Sequence, residues 1–440
     1  MSALLEHLAA VARGYDAIRP EGRVVKVVGL TIEALGPSCR IGEVCTVDAG
    51  GAEVTCEVVG FRDDRVLLMP LGRMDGIAPG ARVVAAGERL RVPVGPELVG
   101  RVVDGLGRPI DGRGPLATRL TRPVDSDPPP PLSRPPISEP LGVGVRAIDG
   151  LLTVGRGQRL GIFAGSGVGK STLMSMIARN AQADVAVIAL VGERGREVRQ
   201  FIEQDLGEAG LARSVVVAAT SDEPPLVRIK AAHTATAVAE YFRDQGADVV
   251  LLMDSITRFA MALREVGLAV GEPPASRGYT PSVFSQLPRL LERSGRSHRG
   301  SITGFYTVLV EGDDFNEPVT DTVRGILDGH VVLSRDLAQR GHYPAIDVPA
   351  SVSRLMTGVA GPVQVRAATR LRQLLAAYRD GRDLVQIGAY RPGTDPVLDE
   401  ALERMDAINA FLRQGTDEPS TLEDAVARLL QVMGMEGEAA

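Results

Sequence analysis

The apolar positions of this chain change their period several times along its length. At the start, Leu4, Leu8, Val11, Tyr15 and Ile18 recur at spacings of four, three, four and three, which places them on one stripe of a helix. Gly14 weakens that helix and Pro20 ends it. Periodicity leaves open whether the stripe packs on its own domain or is kept for a partner. From Arg23 to Val94 the text turns to short β-rich runs: Arg23–Gly29, Val44–Val47, Val54–Phe61, Val66–Met69, Arg82–Ala85 and Arg89–Val94. Gly, Pro and Asp turns separate them, which is the pattern of a small barrel.

Pro109–Pro140 holds ten of the 29 prolines, so it excludes helix and central strand and predicts an extended connector over the surface. After Leu141, near-continuous apolar runs alternate with helical spacing: Leu160–Phe163, Val185–Val191, Val215–Ala219, Val249–Met253, Gly304–Val310 and His330–Leu333. Strands of this kind belong to a parallel sheet covered on both faces. Beyond Gly361 the strands stop. Leu371, Leu374, Leu375 and Tyr378, then Leu398, Leu402, Met405 and Ile408, keep helical spacing, and Ser420 with Glu423 predicts a capping box opening a last helix through Val432. The predicted organisation is a helix over 1–20, a small β-barrel over 21–95, an α/β domain with a mainly parallel sheet over 96–360 containing the connector 109–140, and a helical domain over 361–440.

Composition narrows the class of protein. A length of 440 residues predicts about three domains, and 44% hydrophobic content suffices for more than one core. The net charge of −6 argues against a general nucleic-acid binder, and no run approaches the ~18 uncharged apolar residues of a spanning helix. Glu6 and His7 stand where a secretory signal has a basic region, so a cytoplasmic chain is expected. Cys39, Cys45 and Cys56, an odd number without a CxxC pair, predict neither disulfides nor a zinc cluster and read as barrel-strand residues.

The chemistry concentrates after the strand Leu160–Phe163. Ala164-Gly165-Ser166-Gly167-Val168-Gly169-Lys170-Ser171, followed by a helix-competent run from Thr172, is a P-loop in its proper strand–loop–helix context, with Ala164 in place of the first glycine. Its glycines let backbone N–H groups curl around an anion, Lys170 bridges terminal phosphates, and the Ser171 hydroxyl suits Mg²⁺. Asp254 ends the strand Val249–Met253, at the edge where such sheets bind ligands, and fits a Mg²⁺-side carboxylate. The alternative is an N-cap for the helix starting at Ser255. Glu193 ends the strand after the P-loop helix, placed to orient an attacking water, with Arg194 beside it for phosphoryl oxygens. A surface Glu-Arg pair is the simpler alternative. The acidic run Glu311, Asp313 and Asp314 reads as a solvated turn, and the histidines, which show no metal-ligand spacing, read as structural.

From Gly22 to about Val432 the chain resembles the flagellum-specific export ATPases, relatives of rotary ATP synthase catalytic subunits and of virulence type III secretion ATPases. The most specific stretches are the run from Gly271-Glu272-Pro273-Pro274 to Pro281-Ser282-Val283-Phe284, then Leu287-Pro288-Arg289-Leu290-Leu291-Glu292-Arg293, and Ile326-Leu327-Asp328-Gly329-His330. Pro344-Ala345-Ile346-Asp347-Val348-Pro349 through Arg354 is similar to a signature of the whole superfamily. The resemblance implies that Gly165, Ser166, Gly167, Val168, Gly169, Lys170, Ser171 and Thr172 bind ATP, with Mg²⁺ at Ser171 and Asp254. It implies that Glu193 is the catalytic carboxylate and that Arg194 and Arg258 lie near the γ-phosphate. Tyr343 would stack on adenine with Phe411 as the other wall, and Arg354 would be an arginine finger offered to the neighbouring subunit. The chain departs from the synthase pattern at Gly415-Thr416, where a second phenylalanine is usual. The implied fold is a small barrel, a RecA-like P-loop core and a helical C-terminal domain, and the implied protein is a Mg²⁺-dependent ATP hydrolase acting as a homo-hexameric ring that energises flagellar protein export. It would sit at the cytoplasmic face of the basal body with at most peripheral membrane contact. Its implied partners are a stalk or regulator protein at the Leu4–Ile18 stripe, export-gate proteins and chaperone-cargo complexes, and no nucleic acid. The rivals are a virulence secretion ATPase with the same chemistry, an RNA-dependent hexameric helicase, and a non-catalytic ring subunit. Arg23–Val94 lacks the aromatics interleaved with basic residues that the helicase needs, and Glu193 beside an intact Lys170-Ser171 disfavours the non-catalytic subunit.

Overall fold

The computed structural model describes residues 20–310 and 314–438. The helix expected before Pro20 lies outside the described residues. Antiparallel strands β1 (Glu21–Val28), β2 (Thr31–Leu35), β3 (Glu43–Asp48), β4 (Glu53–Arg62), β5 (Arg65–Pro70) and β6 (Arg82–Arg89) close a barrel in the order β1-β2-β5-β4-β3-β6. Period-two alternation makes this possible: in β3, Cys45 and Val47 point into the core while Val44 and Thr46 are only half-buried. Two expectations need correction. Thr31–Leu35, too short and polar to stand out, is a barrel strand, whereas Arg89–Val94 largely leaves the barrel. Its strand β7 (Arg91–Pro93) pairs with β9 (Thr121–Pro123), and β8 (Val102–Asp104) joins the central sheet. Cys45 and Cys56 face one another across β3 and β4, but Cys39 lies in the turn before β3 and not on a strand.

The proline-rich connector is extended, interrupted by one 3-10 turn at Pro131–Ser133. It does not simply run over the surface. Val124 is fully buried, and Asp125 accepts a hydrogen bond at 3.1 Å from Lys230, whose ammonium also pairs with Glu57 of β4 at 2.7 Å. The connector thus straps the barrel to the α/β domain through a buried charge cluster, where a lone charge would be costly. His233 belongs to the same cluster, and burial pulls it down to about 3.

After a small pair, β10 (Pro140–Leu141) and β11 (Val154–Gly155), the central sheet takes β12 (Arg159–Ala164), β13 (Val185–Glu193), β14 (Ser214–Thr220), β15 (Asp248–Asp254), β16 (Gly295–Arg296), β17 (Ser301–Leu309), β18 (Gly329–Leu333) and β19 (Val352–Ser353). Its order is β19-β18-β12-β17-β15-β13-β14-β8, parallel except for β19, with β16 antiparallel to β17. Alternate side chains serve opposite cores. Ile188 and Leu190 face the core that holds Met174 and Ile177 of the P-loop helix, while Val187, Ala189 and Val191 face Ala235, Val238 and Phe259. Helices Pro362–Gln386, Pro396–Leu412 and Leu422–Met433 form the C-terminal region, and Leu371, Leu374 and Leu429 share the first of those cores. The capping box of the last helix is Thr421 with Asp424, one residue beyond the predicted pair. Among the described residues no helix is long and apolar enough to cross a membrane.

Candidate functional site

A cavity of about 680 Å³ opens at the carboxyl edge of the sheet, where β12, β15 and β13 end. The P-loop leaves β12 at Ala164. Gly167 and Gly169 take φ of 78° and 96°, conformations that side chains rarely tolerate. The helix Lys170–Asn180 begins with Gly169 at its N-cap and no side-chain cap, so its first N–H groups are open to an anion. Gly165, Ser166, Gly167, Gly169, Lys170, Ser171 and Thr172 line the cavity. Val168 does not: it is buried in the core and pins the loop from below.

Three charged groups from separate strands and loops meet over this loop. Lys170 Nζ pairs with Asp254 and lies 3.8 Å from Glu193 Oε1. Asp254 also accepts a hydrogen bond from Thr307 Oγ1 at 2.7 Å. The helix Ile256–Val270 is capped by Ser255, whose Oγ accepts from the N–H of Arg258, so Asp254 is spared that role. Arg258 in turn donates from Nε to Glu193 Oε1 at 3.1 Å. Burial, and then the neighbouring Asp254 charge, push the Glu193 carboxyl up to about 7. Glu197 was not foreseen. It lines the same cavity and shares a hydrogen bond with Glu193; its own burial opposes ionisation, but this bond and the Arg194 N–H bring it below its ordinary value. Its sequence signal is its place four residues after Glu193, on the first turn following the strand. Arg194 lines the cavity with an exposed side chain 3.7 Å from Glu197, and Arg335, also unforeseen, lies at the same cavity.

The remaining predicted residues divide. Tyr343 does not line the cavity itself but stands half-exposed beside the P-loop, where a Cβ on Gly169 would lie 3.7 Å from its ring. Phe411 does not join it. Its ring is buried against Gly150, 2.9 Å from where a Cβ would sit, and it does not line the cavity, because the core between the sheet and the C-terminal helices takes its apolar surface. Arg354 is exposed, contacts the Arg324 carbonyl at 3.4 Å, and is absent from its own chain's cavity. Of the acidic run, Asp314 pairs with Arg277 at 2.9 Å, while Glu311 and Asp313 fall outside the described residues.

Among the described residues no three His, Cys, Asp or Glu side chains converge to hold a metal unaided. The Ser171 hydroxyl and Asp254 carboxylate are nevertheless hard oxygen donors beside an anion cradle. They fit Mg²⁺, which keeps several waters and completes its shell with phosphate oxygens.

Residues 144–353 match the model of the ATP synthase alpha/beta family, nucleotide-binding domain. Residues 24–87 match that family's beta-barrel domain, and residues 360–431 the T3SS EscN ATPase C-terminal domain. The chain is 56% identical to the flagellum-specific ATP synthase of Bacillus subtilis (strain 168), covering 96% of this chain and 97% of the relative. It is 53% identical to the type 3 secretion system ATPase of Xanthomonas euvesicatoria, covering 98% and 97%. Among solved structures it is similar to the assembled ATPase EscN of the enteropathogenic E. coli type III secretion system, at 46% identity and a TM-score of 0.88, over 93% of this chain and 99% of that one. The same ATPase in complex with its central stalk EscO superposes with a TM-score of 0.87.

Proposed function

The chain belongs to the ATP synthase alpha/beta family, among its flagellum-specific and type III secretion members, and from that premise we propose how its cleft works. The protein is an ATP-hydrolysing enzyme that energises export of flagellar proteins through the flagellar type III secretion apparatus. The observation that carries the site assignment is the meeting of the P-loop, Glu193 and Asp254 at one edge of the sheet.

In this reading the N–H groups of Gly165 to Thr172 cradle the phosphates, and Lys170 turns from Asp254 to the terminal phosphoryl oxygens. Asp254 and Ser171 would hold Mg²⁺, which would offset phosphate charge there. Glu193 orients the attacking water and draws its proton, and the Nε–H of Arg258 keeps that carboxylate aimed into the cleft. A group held at about 7 is matched to proton transfer near neutral pH. Arg194 approaches the γ-phosphate from the rim. Tyr343 stacks on the base. Arg354, which stands apart from its own cleft, serves the neighbour's: the chain works as a homo-hexameric ring whose sites lie between subunits. A stalk protein engages residues 1–20, and export-gate and chaperone-cargo proteins are further partners. The ring sits peripherally at the cytoplasmic face of the basal body.

The test is paired. Lys170→Ala should abolish calorimetric ATP binding without unfolding the chain; unchanged affinity removes Lys170 from the site. The parent gene, and not the Lys170→Ala variant, should restore swimming to a Bacillus subtilis strain lacking its flagellum-specific ATP synthase. Restoration of injectisome secretion and not of swimming would assign the chain to the virulence branch.

A further inference from the structure

Arg146 is an arginine with almost no surface, 2% exposed, at the start of the helix Arg146–Leu151 and outside every motif discussed so far. Its guanidinium serves a part of the chain 265 to 272 positions further on. Nε donates to the carbonyl of Phe411 at 3.1 Å, Nη2 donates to the carbonyl of Arg413, and Nη1 pairs with Glu418. Carbonyls at the end of the helix Pro396–Leu412 have no partner within it, so a buried guanidinium caps it from another domain. The backbone N–H of Arg146 donates to Gln414 Oε1 at 2.8 Å, and Gln414 Nε2 donates to the carbonyls of Gly144 and Glu418, both at 2.9 Å.

This clamp ends beside the P-loop. The backbone N–H of Gln414 donates to the carbonyl of Tyr343 at 3.0 Å, and the Tyr343 ring lies against Gly169. On its other side the loop is tied to the P-loop helix, since Arg179 donates to the Thr416 carbonyl at 2.7 Å and to Asp417 at 2.9 Å. Loop 411–418 is therefore fixed between Arg146, the P-loop helix and Tyr343.

We propose that Arg146 is a positioning residue for the base end of the nucleotide cleft: by clamping loop 411–418 it sets that loop against Tyr343 and so determines how tightly the nucleobase is held. The inference rests on the reading of Tyr343 as the base-stacking aromatic. The forked guanidinium is what the geometry uses, since two carbonyls and a carboxylate are reached from three nitrogens, and a lysine ammonium cannot span them. Arg146 itself does not line the cavity that holds the phosphate cradle, so a looser base end lowers nucleoside affinity while leaving phosphate recognition and chemistry in place.

Full-length Arg146→Lys, Arg146→Met and Tyr343→Ala proteins are titrated calorimetrically with ATP and with inorganic tripolyphosphate, both with Mg²⁺, and KM and kcat for ATP are measured. For Arg146→Lys, ATP affinity should fall about tenfold and KM rise in step, with kcat and tripolyphosphate affinity within about twofold of the parent. Unchanged ATP affinity overturns the proposal. So does an equal loss for ATP and tripolyphosphate, which is what a merely structural clamp produces. Tyr343→Ala separates the premises: if ATP affinity survives it, the stacking reading has failed, whereas loss there without loss in Arg146→Lys defeats the role of Arg146 alone. Should Arg146→Met not fold, Arg146→Lys, which keeps the buried charge, decides.

Discussion

Replacing Glu193 by glutamine should make the protein more stable and nearly inactive at once. The side chain is almost isosteric, and its oxygen still accepts the hydrogen bond that Arg258 donates at 3.1 Å. What disappears is a carboxylate that burial and Asp254 hold at about 7 against an ordinary 4.5. Such a displacement corresponds to about 3 kcal/mol, and screening by water at the open cleft lowers the expected gain to about 2 kcal/mol. The sign follows from linkage. Because the folded state raises this acid, the parent keeps the full contribution of Glu193 below pH ~4.5 and loses it as pH rises through about 7. Urea denaturation of nucleotide-free parent and variant should therefore give equal midpoints near pH 4.5 and a gap in favour of the variant that widens to a plateau above pH 8. Turnover should fall by about 10²–10⁴, since an amide cannot take the proton of water, while Mg²⁺-ATP affinity is kept or improved. A stability difference that does not change with pH would refute the electrostatic reasoning, and turnover within a few-fold of the parent would assign the base to another residue.

Other expectations are independent of that one. Arg354→Ala should bind ATP, assemble, and hydrolyse about 10³–10⁵-fold more slowly, and mixing it with Lys170→Ala should restore part of the activity through interfaces that pair an intact P-loop with an intact finger. No recovery in mixed rings verified by tagged co-purification would exclude a shared site. Asp111 is held well below the usual carboxylate range by Arg101, whose Nε and Nη2 donate to it at 2.6 and 2.9 Å. Asp111→Asn should cost about 1.5–3 kcal/mol at pH 7 by urea denaturation, a penalty that shrinks only as pH falls below about 4, where the unfolded parent takes up a proton that the folded carboxylate still resists. A penalty of the same size at pH 2.5 would show that charge is not its source. Deleting residues 1–19 should leave ATP turnover of the free chain intact and abolish capture by a stalk protein. Insoluble product with unaltered capture by any surviving protein would mean that the apolar stripe packs within the chain.

Most of the architecture and the heart of the site were legible in the chain, because both are written in local spacing. Alternation of buried positions marks β3 and its neighbours, unbroken apolar runs mark β12, β13 and β15, and the P-loop is a continuous string whose glycines need the φ they adopt. The place of Glu193 and Asp254 at the cavity is legible because a strand delivers whatever residue ends it to the sheet's carboxyl edge. Local spacing carries no information about which distant segments pack together, and there the tertiary structure decided. Thr31–Leu35 becomes a strand because β1 and β5 supply its hydrogen bonds from either side. The connector is partly buried because Lys230 needs the Asp125 carboxylate. Phe411 turns inward because Gly150, far away in the chain, leaves room for its ring. The same holds for Arg146: in the sequence it is one charged residue among many, and it acquires a role only when the fold brings it under the carbonyls that end a helix 265 residues later. A backbone group left unpaired by one element is satisfied by whichever side chain packing places beside it, and that choice is made by the whole chain at once.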